Sequence, residues 1–196
     1  MKIAFVIFDR MTTMDFVGIY DTLTRLKSMG HVPDLSWDIC ACSEFVSDDR
    51  GLRIAATLQE QSLVGYDIVV VPGGLGTRTL QHEAHFTDWL KTAESSSLVV
   101  SVCTGALLIG AAGFLNGKRA TTHPNAYEEL RPYCDTVVKE RVVEDGNVIT
   151  ARGVTSAIDA GLYVVRRLEG AEVEMEIARQ MDYPYRWETL QNSAAT

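Results

Sequence analysis

The stretch "VVSVCTGALLIG", Val99 to Gly110, decides the fold. Its first third is β-branched and apolar, its last half is built from helix formers, and a single cysteine, Cys103, stands at the join. A strand that runs directly into a helix is the repeating unit of a parallel α/β sheet. The same pattern recurs outward from this point. "KIAFVIF" (2–8), "WDICAC" (37–42), "YDIVVVPGG" (66–74) and "SLVVSV" (97–102) read as strands, and helices are expected from Met14 to Ser28, Thr77 to Ala93 and Gly105 to Gly113. The strands are apolar at successive positions instead of alternating, which fits a sheet covered on both faces. The expectation is therefore a doubly wound, mainly parallel sheet with helices on both sides.

Other segments depart from that alternation. "SEFVSDDRGLRIAATLQEQ" (43–61) carries a turn signal at Asp48 to Gly51 and predicts small antiparallel strands outside the main winding. A short helix is expected around Asn125 to Leu130, and Asp145-Gly146 between apolar runs predicts a hairpin. Residues 154–170 and 171–181 read as closing helices, and Pro184 ends helix formation. With 196 residues, 46% of them hydrophobic, the chain suits one core better than two. Residues 1–188 are taken as a single domain and 189–196 as a loose tail.

The net charge of -8 and the lack of any lysine or arginine run exclude a phosphate-tracking surface, so no nucleic acid partner is expected. The N-terminal "MKIAFVIFDRM" has too few apolar residues before Asp9 for a signal-peptide core or a membrane span. A cytoplasmic protein with no membrane partner is the expectation. In that setting Cys40, Cys42, Cys103 and Cys134 read as free thiols. The Cys40-x-Cys42 spacing does not match a zinc knuckle, and on a strand it places both side chains on one face; no metal and no cofactor are expected.

Cys103 sits where an open α/β sheet gathers its ligands, at the carboxyl end of a strand. Ser101-x-Cys103-x-Gly105 has the layout of a nucleophile elbow, in which small neighbours allow a sharp strand-to-helix turn. Such a turn aims the sulfur at the first amides of the next helix, which favour a thiolate. The competing reading is a small apolar residue buried at a strand end. A second glycine turn, "VVVPGGLG" (69–76), follows the neighbouring strand, and Gly73 and Gly74 are expected to leave backbone amides free to meet a ligand as an oxyanion hole does. Asp15 and His123 are the candidate proton partners. Taken alone, Asp15 reads first as a capping box with Thr12 and His123 first as a loop histidine, and Asp159, three residues after Ser156, is read as a cap. Arg152 reads as a solvated arginine, and His31, His82 and His85 suggest no cluster.

Taken together, "PGGLG", "SVCTGALLIGAAGFLNGKRATTH", "ERVVEDGNVIT" and "GVTSAIDAGL" resemble the ThiJ/PfpI superfamily, and within it the isocyanide hydratase branch and the amidase-like domains of some transcription regulators. The resemblance runs from about Lys2 to about Leu168. It implies a flavodoxin-like fold, a homodimer, and a nucleophilic cysteine at Cys103. It also implies that Asp15 replaces the glutamate found beside the cysteine in other branches, and that Thr104 stands where protease-like members have histidine. Two positions depart from the hydratases: Pro124-Asn125 replaces an aromatic after the "TTH" block, and Ile19-Tyr20 follows Gly18 without the usual proline. The function implied is hydration of a small electrophilic isocyanide to an N-substituted formamide by Cys103 and Asp15, with Gly74 and Thr104 amides positioning the intermediate. The alternatives are a glyoxalase-like enzyme on 2-oxoaldehydes assisted by His123, or a redox sensor that turns over nothing. The chain carries no helix-turn-helix extension, so no DNA-binding role is expected.

Overall fold

The computed structural model describes residues 1–184; the tail expected at 189–196 lies outside the described residues. The chain opens with β1 (Lys2–Val6) and α1 (Thr13–Ser28), then β2 (Ser36–Ala41), β3 (Phe45–Ser47), β4 (Arg53–Ala55), β5 (Leu58–Gln59) and β6 (Ile68–Val71). Helices α2 (Thr77–Leu80) and α3 (Ala84–Lys91) lead to β7 (Leu98–Val102) and α4 (Gly105–Ala111). After β8 (Arg119–Ala120), α5 (Tyr127–Leu130) and β9 (Thr136–Val137) come β10 (Val142–Asp145), β11 (Val148–Ala151), α6 (Ser156–Glu169) and α7 (Ala171–Gln180).

The main sheet has seven strands in the order β10-β11-β7-β6-β1-β2-β5, all parallel except the β10–β11 hairpin. Its five long parallel members, taken in chain order, lie as 2-1-3-4-5, the flavodoxin-like winding whose switch point falls between β1 and β6. Every residue of β6 and β7 is buried, because helices cover both faces of the sheet. Each buried valine, leucine or isoleucine there contributes about 1.5–3 kcal/mol. Helix α1 packs along α6, and α7 packs on α6 in turn. Helix α4, buried from Gly105 to Gly110, contacts α2 and α3.

Two details differ from the sequence reading. The helix expected over Thr77 to Ala93 breaks at Gln81–Glu83, where Glu83 is extended and its carbonyl accepts the Phe86 and Thr87 amides that start α3. The break re-aims α3 so that Phe86 stacks edge-on against both Phe8 and Trp89. In the 43–61 segment, β3 and β4 pair antiparallel as expected, but β5 joins the main sheet as a parallel neighbour of β2. Among the described residues no helix is long and apolar enough to cross a membrane. All four cysteines are free; Cys40 closes on the Tyr66 hydroxyl, while Cys42 falls just past the end of β2.

Candidate active site

Four strand ends converge on one place. Asp15 follows β1, Gly73 follows β6, Cys103 follows β7 and Gly153 follows β11, all at carboxyl ends on adjacent strands. Cys103 has φ 55°, a left-handed conformation that costs a side-chain-bearing residue free energy and that the surrounding packing must hold. The turn needs the small neighbours that the sequence supplies. A Cβ on Gly73 would stand 2.5 Å from the Thr104 amide nitrogen and 2.8 Å from Cys103 Cβ. A Cβ on Gly153 would stand 2.4 Å from Cys103 Cβ and 3.1 Å from its Sγ. The sequence reading missed Gly153; its signal was a glycine just past a strand end, as in the turn after β6.

Asp15 is fully buried and does not cap its helix. Thr12 makes no side-chain cap bond, and the Asp15 amide bonds the Thr12 carbonyl instead. Its carboxylate turns across the sheet end, where Oδ2 accepts the Gly73 amide at 3.2 Å and Oδ1 is left without a partner. Burial raises the Asp15 carboxyl from 3.8 to about 7, against the opposing pull of the Cys103 thiol and the Gly73 amide. The Cys103 thiol is the side-chain donor facing this carboxyl.

The thiol itself is pushed up to about 12, first by burial and then by the negative charge of Asp15, with the Thr104 amide and hydroxyl pulling the other way. This reverses the expected thiolate. The helix start does favour the anion, but desolvation and an adjacent carboxylate outweigh it. Cys103 rests as a neutral thiol next to a carboxyl group that ionises near neutrality.

The glycine amides are also engaged, not free. The Gly74 amide donates to Thr104 Oγ1 at 2.9 Å, and the Gly74 carbonyl accepts from the Thr104 and Thr77 hydroxyls at 3.1 and 2.8 Å. With Gly73 given to Asp15, this turn holds the site's own side chains in place. The Thr122 hydroxyl, from the "TTH" block, donates to the Cys103 carbonyl at 2.8 Å and so braces the elbow from behind. His123 is half-buried, and its Nδ1 accepts the Asn125 amide at 3.2 Å as a helix cap. The other cap assignment also changes: Asp159 accepts from Arg141 Nε at 2.6 Å and from the Tyr183 hydroxyl, and caps nothing. His31 and His85 face Glu176 and Glu60 and join no cluster.

A model of the DJ-1/PfpI family matches residues 1–167. The chain is 36% identical over 186 residues to the isonitrile hydratase of Pseudomonas putida, a match that covers 93% of this chain and 78% of that protein. It is 32% identical over 178 residues to protein DJ-1alpha of Drosophila melanogaster, covering 88% and 80%. Among solved structures, a ThiJ/PfpI family protein from Pseudomonas syringae superposes with a TM-score of 0.85 at 29% identity, over 94% of this chain and 76% of that one.

Proposed function

The chain belongs to the DJ-1/PfpI family, and we propose that it is a cofactor-independent cysteine enzyme that hydrates a small isocyanide to the N-substituted formamide. The observation that carries this reading is the pairing of a neutral thiol on a strained elbow with a buried carboxyl group whose Oδ1 is unpartnered and which ionises near pH 7. A weakly acidic nucleophile needs an adjacent base, and a base that titrates near the working pH can both accept and return a proton.

In the proposed cycle, Asp15 takes the thiol proton as sulfur attacks the terminal carbon of R–N≡C. It then delivers that proton to the same carbon, which gives the thioimidate R–N=CH–S. Because the thiol rests protonated, proton transfer and C–S bond formation belong to one step. Water next adds to the thioimidate carbon, Asp15 accepting its proton and passing it to nitrogen. Collapse of the adduct forms the carbonyl, breaks the C–S bond, returns the hydroxyl proton to sulfur and releases R–NH–CHO. The Gly73 amide fixes the carboxylate, and the Thr104 amide steadies negative charge on sulfur.

The 2-oxoaldehyde alternative needs His123 as a partner, and with Nδ1 taken by the Asn125 amide only its Nε2 is left to serve. A redox sensor needs an ionised, accessible thiol, and this one is 6% exposed and pushed up to about 12. The proposed enzyme acts in the cytoplasm as a homodimer. Exposed Met14 and Val17 on α1 and Phe45 and Leu52 on the β3–β4 hairpin offer a face for the second copy. The deciding test is formamide production from a simple aryl isocyanide, with Cys103→Ala alongside. Cysteine-dependent formamide is expected; no formamide, or formamide from the alanine variant, overturns the reading.

A further inference from the structure

Thr121 and Thr122 are adjacent and fully buried, but their hydroxyls are differently engaged. The Thr122 hydroxyl donates to the Cys103 carbonyl at 2.8 Å. Thr121 is held through its backbone instead: its amide donates to Thr150 Oγ1 of β11 at 2.9 Å, while its own hydroxyl has no partner among the described residues. The Cys103 amide donates to the Ala151 carbonyl, also of β11, at 2.8 Å. The "TTH" segment, the end of β11 and the elbow are thereby closed into one hydrogen-bonded unit.

The Cys103 carbonyl stands before the helix that follows it. Thr104 is the N-cap of α4 and its carbonyl takes the Leu107 amide at 3.0 Å, whereas the carbonyl of the left-handed Cys103 goes to Thr122. Gly73 and Gly153 make room for the cysteine, but their nearest approaches to it run to its Cα, Cβ and Sγ. A side-chain-bearing residue in the left-handed region persists only where its surroundings hold it there. We infer that Thr122 is a positioning residue: its hydroxyl, through the Cys103 carbonyl, holds the sulfur against Asp15, and its neighbour Thr121 does not. The inference rests on the preceding section in taking Cys103 as the nucleophile and Asp15 as its proton acceptor. A held sulfur turns over substrate yet alkylates slowly, because it stays buried and protonated beside the carboxyl group. A released sulfur does the reverse.

Two rates therefore test it: formamide production from an aryl isocyanide, and alkylation by iodoacetamide followed by mass spectrometry on the Cys103 and Cys40 peptides of one digest. Cys40, 3% exposed in the core, reports opening of the whole fold. Thr122→Val keeps the shape and removes the donor. Its kcat should fall about tenfold with KM within about twofold, while Cys103 alkylates about tenfold faster and Cys40 at its wild-type rate. Thr122→Ser, which keeps the donor, and Thr121→Val, which removes an unbonded hydroxyl, should both match the wild-type protein. In folded Thr122→Val, unchanged rates, or a rise at Cys103 matched at Cys40, overturn the inference. So does a Thr122→Ser variant that loses kcat, and this arm carries the test even if the valine variant folds poorly. A selective rise at Cys103 in Thr122→Val, with no formamide from the wild-type protein, would retain the role of Thr122 and remove the isocyanide reading.

Discussion

Asp15 near the start of α1 and Asp159 near the start of α6 share a local pattern, each standing three residues after a hydroxyl residue, Thr12 or Ser156. Both are buried, at 0% and 2% exposure. Neither caps its helix. Asp159 meets the Arg141 guanidinium and the Tyr183 hydroxyl, so its charge is matched and its oxygens are used. Asp15 meets one backbone amide and a thiol, keeps an orphan oxygen, and holds its proton up to about pH 7. A buried carboxylate with a cation is a structural tie. One without a cation is a poised acid or base.

That contrast is broken most directly at the reaction itself. Cys103→Ala is expected to lower formamide production at least about a thousandfold, since no second nucleophile stands at the elbow. Asp15→Asn should lower kcat/KM by about a hundredfold or more. Asp159→Asn should leave kcat/KM within a few fold. Equal losses from Asp15→Asn and Asp159→Asn would place both carboxylates in the structural class.

The wild-type pH profile tests the same point. Asp15 must be ionised to take the thiol proton, so kcat/KM should rise through a midpoint near pH 7 and stay high above it. A flat profile from pH 5 to 8 would mean that the proton acceptor is another group.

The fold and the elbow were legible because they are written locally. Apolar runs such as Ile68–Val71 and Leu98–Val102 can only be central strands, and the small residues flanking Cys103 are demanded by its own turn. Asp15 was reached through family resemblance, since Thr12-x-x-Asp15 taken alone reads first as a cap. What stayed hidden depends on residues far apart in the chain: Arg141 meeting Asp159, the Gly73 amide meeting Asp15, and Thr104 taking the Gly74 amide. The thiol's ionisation was misread for the same reason. A helix start is visible in sequence, whereas the desolvation that overrides it exists only once the sheet and helices have closed around the sulfur.

Stability sharpens the comparison with opposite signs. Asp159→Asn leaves Arg141 without its counter-charge; because that arginine is 33% exposed, the expected cost is about 1–3 kcal/mol, read as a lower midpoint in urea. Asp15→Asn should do the reverse. The folded-state carboxyl is raised above its unfolded value of 3.8, so ionisation opposes folding progressively from about pH 4 to pH 7 and at a constant level above that. The stability gained by Asp15→Asn should be near zero at pH 4 and largest above pH 7, with about 4 kcal/mol as its upper bound. A variant less stable than wild type at pH 8 would mean that the Gly73 contact outweighs the burial of the charge.

The smallest effect is expected at His123, and it separates two chemistries. Its Nδ1 accepts the Asn125 amide, so replacing it removes a cap worth about 1 kcal/mol on a short helical turn. The proton transfers assigned to Asp15 do not use it. His123→Ala should therefore change isocyanide turnover by less than about threefold while shifting the urea midpoint slightly downward. If the natural substrate were instead a 2-oxoaldehyde, the imidazole would be needed as an acid beside the hemithioacetal, and the same variant would lose about a hundredfold. Assaying both substrates on one preparation of His123→Ala compares the two outcomes directly. A large loss on the isocyanide would assign to the "TTH" loop a proton-transfer role that Asp15 now holds alone.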